Sequence, residues 1–221
     1  MTDNHQFDST PLMDQGSPGL AELIYGVLFN PVKIFRSISK HPPLFHGFLI
    51  FFGVVILTSL TNTLAPLNFA APAELNTALA RTRFLIGIIG ALFALIGWFV
   101  EAGLFQLLAE FFGGRGRAVG VLTVLALAGI PKVLVIPFQV ISFLLAGSLF
   151  GRFLFIAASI IIFIWWAVLL VIGLREIQEF STARALATLL IPLGILGLTV
   201  VVFAIALVGL IIPFLGTFPP S

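Results

Sequence analysis

Charge is what this chain has least of. Only 9% of its 221 residues are charged, against about 25% in an ordinary soluble domain. So few charges could not cover the surface of a soluble fold of this size, and a mean hydropathy of +1.19 points the same way. The solvent for most of the chain is lipid. Cysteine is missing altogether, which excludes a disulfide framework, a thiolate nucleophile and a cysteine metal site. Aspartate stops at residue 14, so no Asp pair stands within the membrane. The histidines, His5, His41 and His46, show no metal spacing such as HExxH, and no GxSxG elbow occurs. A net charge of +2 gives no sign of a nucleic-acid footprint. The expectation is a chain without enzymatic activity, cofactor, metal or nucleic-acid partner.

What is present is long apolar runs. Five stand at Leu44–Leu64, Phe84–Ala109, Val119–Ala146, Phe153–Leu174 and Ala185–Ile212, each near the roughly 20 residues a helix needs to cross hydrocarbon. Their continuity excludes an outer-membrane barrel, whose strands alternate apolar and polar residues. Helices satisfy their backbone hydrogen bonds internally and are required here. The predicted fold is all-α: five transmembrane helices over residues 44–212, preceded by an amphipathic interfacial segment over 20–43. Residues 1–19 read as a disordered acidic tail without a cleavable leader, and 213–221 as a short tail. The uncharged tract from Ala185 onward is too short for two crossings and predicts one bent span. Ala65–Arg83 could hold a small interfacial helix, and Gly147–Arg152 reads as a tight turn.

The cations divide unevenly between the two sides. With five crossings, Lys33, Arg36, Lys40, Arg115, Arg117, Arg175 and Arg184 share one side, while Arg81, Arg83 and Arg152 share the other. Seven against three predicts a cytoplasmic N-terminus and an external or lumenal C-terminus.

Three of those cations stand in NPVKIFRSISKHPP, directly before the first span. Asn30 and Pro31 form a helix start. At about 100° per residue, Lys33, Arg36 and Lys40 share one arc while Ile34, Phe35 and Ile38 lie opposite. The expected geometry is a helix lying flat on the leaflet, its apolar side in the acyl boundary and its cations on anionic headgroups.

Two charges fall inside spans, Glu101 in the second and Lys132 in the third. A charge at the centre of a crossing helix costs about 2.5–3.5 kcal/mol on insertion scales. Measured along antiparallel neighbours, they lie roughly 15 and 20 Å from their shared connection at 1.5 Å per residue. The two should pair or share a small hydrated cavity. Pro131 and Pro137 should kink the third span and free carbonyls near the ammonium, and Gln139 falls on the same face as Lys132. A purely structural pair that orients two helices and an ion or proton pathway both fit these residues.

Weaker signals remain. Thr58, Thr61 and Asn62 form a stripe suited to interhelical hydrogen bonds, and Gly87, Gly90, Ala91 and Ala94 have small-xxx-small spacing that favours close helix contact within the chain or between copies. Trp98, Trp165 and Trp166 lie too deep for an interfacial belt and read as packing. GGRGRAVG, residues 113–120, has GxGxxxG spacing with no strand before it, so it reads as a flexible turn carrying topology-setting arginines rather than a phosphate loop.

Four stretches in order carry a resemblance: NPVKIFRSISKHPPL before the first span, AEFFGGRGRAVGVLTVLALAGIPKVL, IWWAVLLVIGLREIQEFSTARALATLL, and an apolar last span. Together they resemble the Yip family of five-span membrane proteins, named for interaction with Rab-type GTPases. Family topology has a cytoplasmic N-terminus, in agreement with the charge count. Trafficking members carry a DLYGP-like motif, where this chain has LIYGVLFNP and keeps only Tyr25-Gly26. The short tail is more similar to the prokaryotic branch. That implies the prokaryotic inner membrane, with a Golgi or ER membrane the alternative.

The reading that follows is a non-enzymatic scaffold or adaptor working through lateral helix contacts and a basic cytoplasmic face. Its expected partners are anionic lipid headgroups, other membrane proteins or a cytoplasmic protein (a small GTPase in a eukaryotic membrane), and a second copy of the chain. The alternative is a small-solute or ion transporter or channel component that uses Glu101 and Lys132.

Overall fold

A computed structural model describes residues 18–64, 73–145 and 148–215. Among them all regular structure is helical. Helices α1 (Leu20–Phe29) and α2 (Pro31–Ile38) lead into α3 (Leu44–Leu64) and α4 (Ala73–Phe111). The third apolar run is divided into α5 (Ala118–Ala128), a 3-10 segment (Ile130–Leu134) and α6 (Val135–Leu144). Then come α7 (Leu149–Gln178) and α8 (Thr182–Leu215). The five predicted runs are five helical passages, each long and apolar enough to cross a bilayer. The acidic tail and residues 216–221 lie outside the described residues.

Several boundaries differ from expectation. Residues 73–83 belong to α4 itself and not to a separate interfacial helix. Helix α7 already begins at Leu149, where the Gly151 N–H donates to the Ser148 hydroxyl at 3.1 Å, so most of the expected turn is helix. The last run is a single helix, as expected, but α8 extends it to Thr182–Leu215. The third run does more than kink. It stops at Gly129, passes through the 3-10 segment that contains Pro131 and Lys132, and resumes at Val135. Pro137 lies in the first turn of α6, where a missing N–H breaks no intrahelical bond.

The core is not spread along the spans. It gathers at the end where α1 and α2, the Arg115 turn and the α7–α8 connection meet. Trp98, Ala102, Phe105 and Ala109 on α4 belong to it, as do almost all of α5, Leu169 to Ile177 on α7, and Ala185 and Leu189 on α8. Helix α6 buries no residue, and none of the described side chains of α8 beyond Leu189 is buried. The bundle is therefore packed at one end, the basic end, and open at the other.

The N-terminal pair is part of that core. Helix α2 packs on α7, and α1 packs on α2 and α5. Phe35, Ile38, Leu23 and Val27 have no exposed surface, and Ile34 has 7%. The amphipathic pattern of α2 is real, but its apolar side is covered by protein rather than by acyl chains. Burial among helices removes the same apolar surface from water and adds close packing that fluid lipid does not supply. Gly26 marks the closeness of the α1–α2 contact: a Cβ there would stand 3.1–3.2 Å from Ile34. Asn30 occupies the cap position of α2 without a side-chain capping bond, and its N–H closes α1 on the Gly26 carbonyl at 2.7 Å.

Candidate functional site

The basic end is built around one buried amide. Gln178, the last residue of α7, is fully buried. Its Nε2 donates to Gln106 Oε1 at 2.8 Å, and its Oε1 accepts from the Gly116 N–H at 2.8 Å. Gln106 in turn donates to Glu110 Oε1 at 2.7 Å and to the Gly116 carbonyl at 3.1 Å. The Gln178 carbonyl accepts from the Arg115 N–H at 3.1 Å. A buried amide left without partners would destabilise the fold by about 1–3 kcal/mol. Here both amides are engaged, and they tie α4, the 113–117 turn and α7 into one unit.

That network explains the glycines of GGRGRAVG. A Cβ on Gly114 would stand 2.6 Å from Gln178 Oε1 and 2.9 Å from the Ala109 carbonyl. On Gly116 it would stand 2.5 Å from the Ile177 carbonyl, and on Gly120 2.6 Å from Ile177 Cγ2. Gly113 has a φ of +80°, in the left-handed region that suits glycine. The stretch is thus a pinned turn held against the end of α7, not the flexible one expected. Gln106 and Gln178 were not singled out in the sequence. For Gln106 the local signal is an amide within a long apolar run, whereas Gln178 lies in the polar stretch after Leu174 and has none.

Around this anchor the cations fan outward. Glu176 accepts from Arg36 Nε at 3.0 Å through one oxygen and from Arg175 Nε at 3.0 Å through the other. Arg175 also reaches the Thr182 hydroxyl at 3.4 Å. Lys33, Lys40, Arg115, Arg117 and Arg184 are exposed. Six of the seven cations assigned to one side therefore surround the end of α7 or its neighbours, and Lys40 follows directly from α2. Among the described residues, Arg36 is the one of the α2 trio engaged by a carboxylate.

Deeper in the bundle, where packing gives way to the open half, lies a cavity of about 210 Å³. Glu101 and Lys132 both line it, with Phe51, Thr58, Trp98 and Trp166. The two charges make no direct ion pair among the described residues. Instead Lys132 Nζ stands over the Trp166 ring, 4.7 Å from its centroid. Trp98 is fixed by its indole N–H, which donates to the Leu122 carbonyl at 3.2 Å, and by stacking on Phe51 at 4.5 Å between centroids. Trp98 and Trp166, expected as packing, therefore also form cavity wall, while Trp165 packs against the core. Gln139, placed on the Lys132 face by helical spacing, is not among the lining residues; seven residues on, it stands about 10 Å further along the span at 1.5 Å per residue.

The remaining candidates separate. The Thr58 hydroxyl donates to the Val54 and Val55 carbonyls at 2.8 and 3.1 Å, and Thr61 to Leu57 at 2.8 Å. These bonds stay within α3, contrary to the interhelical expectation. The Asn62 side chain lies outside the described residues. Ala94 lines the cavity, whereas a Cβ on Gly90 would meet only open space. Gly87 and Ala91 are half-buried on the same helix.

The domain model for Yip1 matches residues 25–217. The chain belongs to the Yip1 family. No curated protein and no solved structure matches it. The Yip1 domain thus begins within α1 and takes in α2 and all five long helices, as the burial of α2 in the core requires. Yip1 proteins are generally non-catalytic membrane proteins, and among the described residues no group of three His, Cys, Asp or Glu side chains is placed to hold a metal.

Proposed function

We propose that this Yip1-domain protein is a non-enzymatic membrane adaptor whose working surface is the basic end, facing the cytoplasm. The observation that carries the reading is the Gln106–Gln178 anchor. It fixes exposed Arg115 and Arg117 on a turn held to the same helix end as the Arg36–Glu176–Arg175 cluster. A rigid cationic platform loses little conformational freedom when an acidic surface docks, and it suits an acidic protein face or anionic headgroups. The open half, with its exposed apolar helix faces, supports lateral contacts with lipid, other membrane proteins or a second copy.

Photo-crosslinkers at the exposed Ala118 and Ser181 test this in native membranes. A discrete protein adduct at both positions, lost in an Arg115→Glu/Arg117→Glu variant and missing from a probe at Phe153, is the expected result. Lipid adducts alone, together with solute flux in proteoliposomes, would favour the transporter reading of Glu101 and Lys132.

A further inference from the structure

The cavity of Glu101 and Lys132 carries an inference independent of the adaptor reading. Opposite charges at membrane depth that serve only to orient two helices lower their energy by closing into contact, because Coulomb attraction strengthens as the dielectric falls. These two do not close. They occupy the wall of one chamber, with the ammonium against the Trp166 ring and no direct bridge to the carboxylate. The chamber also adjoins the interruption of the third span, since Gly129 and Lys132 both line it. Non-helical backbone at membrane depth is tolerated where it is covered by protein or lines a cavity.

We propose that this chamber binds a small zwitterion. Its anionic group meets Lys132, and its cationic group meets Glu101 and the aromatic wall of Trp98 and Phe51. Aromatic faces attract ammonium groups, more strongly when water is excluded, and Trp98 is held in place by its bond to Leu122. Glu101 and Lys132 together carry no net charge, so a singly charged ligand would bring an uncompensated charge into the chamber, whereas a dipolar one keeps it neutral. A volume of about 210 Å³ is below the roughly 300–1,000 Å³ of drug-sized sites, which restricts the ligand to a compact one. The same chemistry comes from two sources: a free zwitterion such as glycine betaine, and the ammonium–phosphate headgroup of phosphatidylethanolamine.

Tryptophan fluorescence of the full chain in nanodiscs separates the sources. Glycine betaine is titrated in phosphatidylglycerol discs, and phosphatidylethanolamine is then introduced in stepped mole fraction. A saturable change with either probe, weakened at least tenfold in both Glu101→Gln and Lys132→Met, is the expected result. The responding probe identifies the source. No saturable response to either probe overturns the proposal, and so does an undiminished response in both variants. Should the variants fail to fold, native mass spectrometry of the unmodified chain decides. Retention of one betaine or one phosphatidylethanolamine above the level of phosphatidylglycerol supports the site, and equal retention of all three overturns it.

Discussion

At the scale of single residues, the glycines differ sharply in what they permit. Gly116 faces the Ile177 carbonyl, a backbone atom that cannot turn aside, whereas Gly97 faces open space in the middle of α4. Gly116→Ala should destabilise the fold by about 1–3 kcal/mol through overpacking. Gly97→Ala should be neutral or stabilising by up to about 1 kcal/mol, because alanine is the better helix former. Unfolding midpoints in one detergent would show the opposite signs. Gln178 offers a second test. Gln178→Leu removes the partners of the Gly116 N–H and of Gln106 and should destabilise by about 1–3 kcal/mol. Gln106→Leu/Gln178→Leu should lose less than the sum of the two single changes, because the amides share one bond.

Sequence reasoning reached these positions unevenly. Glu101 and Lys132 stood out because a charge within an apolar run is costly wherever the helix goes. Gln106 and Gln178 did not, since one amide in a span carries a smaller penalty, the other sits in a polar stretch among charges, and the two lie 72 residues apart. The glycines of the 113–120 turn were visible as a cluster, but the reason for them is the end of a helix distant in sequence.

At the scale of elements, α2 carries the clearest revision. Its charged and apolar arcs were correctly placed by periodicity, yet periodicity cannot distinguish a lipid surface from a protein one, since both reward the same side chains. The structure covers Phe35 completely and leaves Lys33 exposed. Phe35→Ala should therefore destabilise by about 3–5 kcal/mol and raise amide exchange across α1 and α2, while Lys33→Ala leaves both unchanged. Equal exchange in the two variants would mean that α2 rests on lipid. The same ambiguity hid the uneven packing of the spans. Runs of Leu, Ile, Val and Phe suit a helix interface and a lipid face equally well, so the five crossings were legible and the packed end was not. The interrupted third span was half legible: Pro131 announced a disturbance, but not a 3-10 segment over Ile130–Leu134.

At the scale of the whole molecule, the described helices of the Yip1 chain are buried mainly at one end. The packed basic end brings the N-terminal pair and two turns together, and the open end spreads apolar faces into the membrane. Such an arrangement predicts unequal dynamics. Amides of α5 and of α7 from Leu169 to Gln178 should exchange most slowly, and those of α6 fastest among the third run, because α6 has no buried residue. Uniform protection along α5 and α6 would contradict this uneven packing.

Topology tests the central claim most directly. The chain has no native cysteine, so single cysteines at Ser39, Ser148 and Ser181 can be probed in intact cells with a membrane-impermeant maleimide. Ser39 and Ser181 should both be protected until the membrane is opened, while Ser148 labels at once. Labelling that places Ser39 and Ser181 on opposite sides would contradict both the odd number of crossings between the ends and the shared basic face.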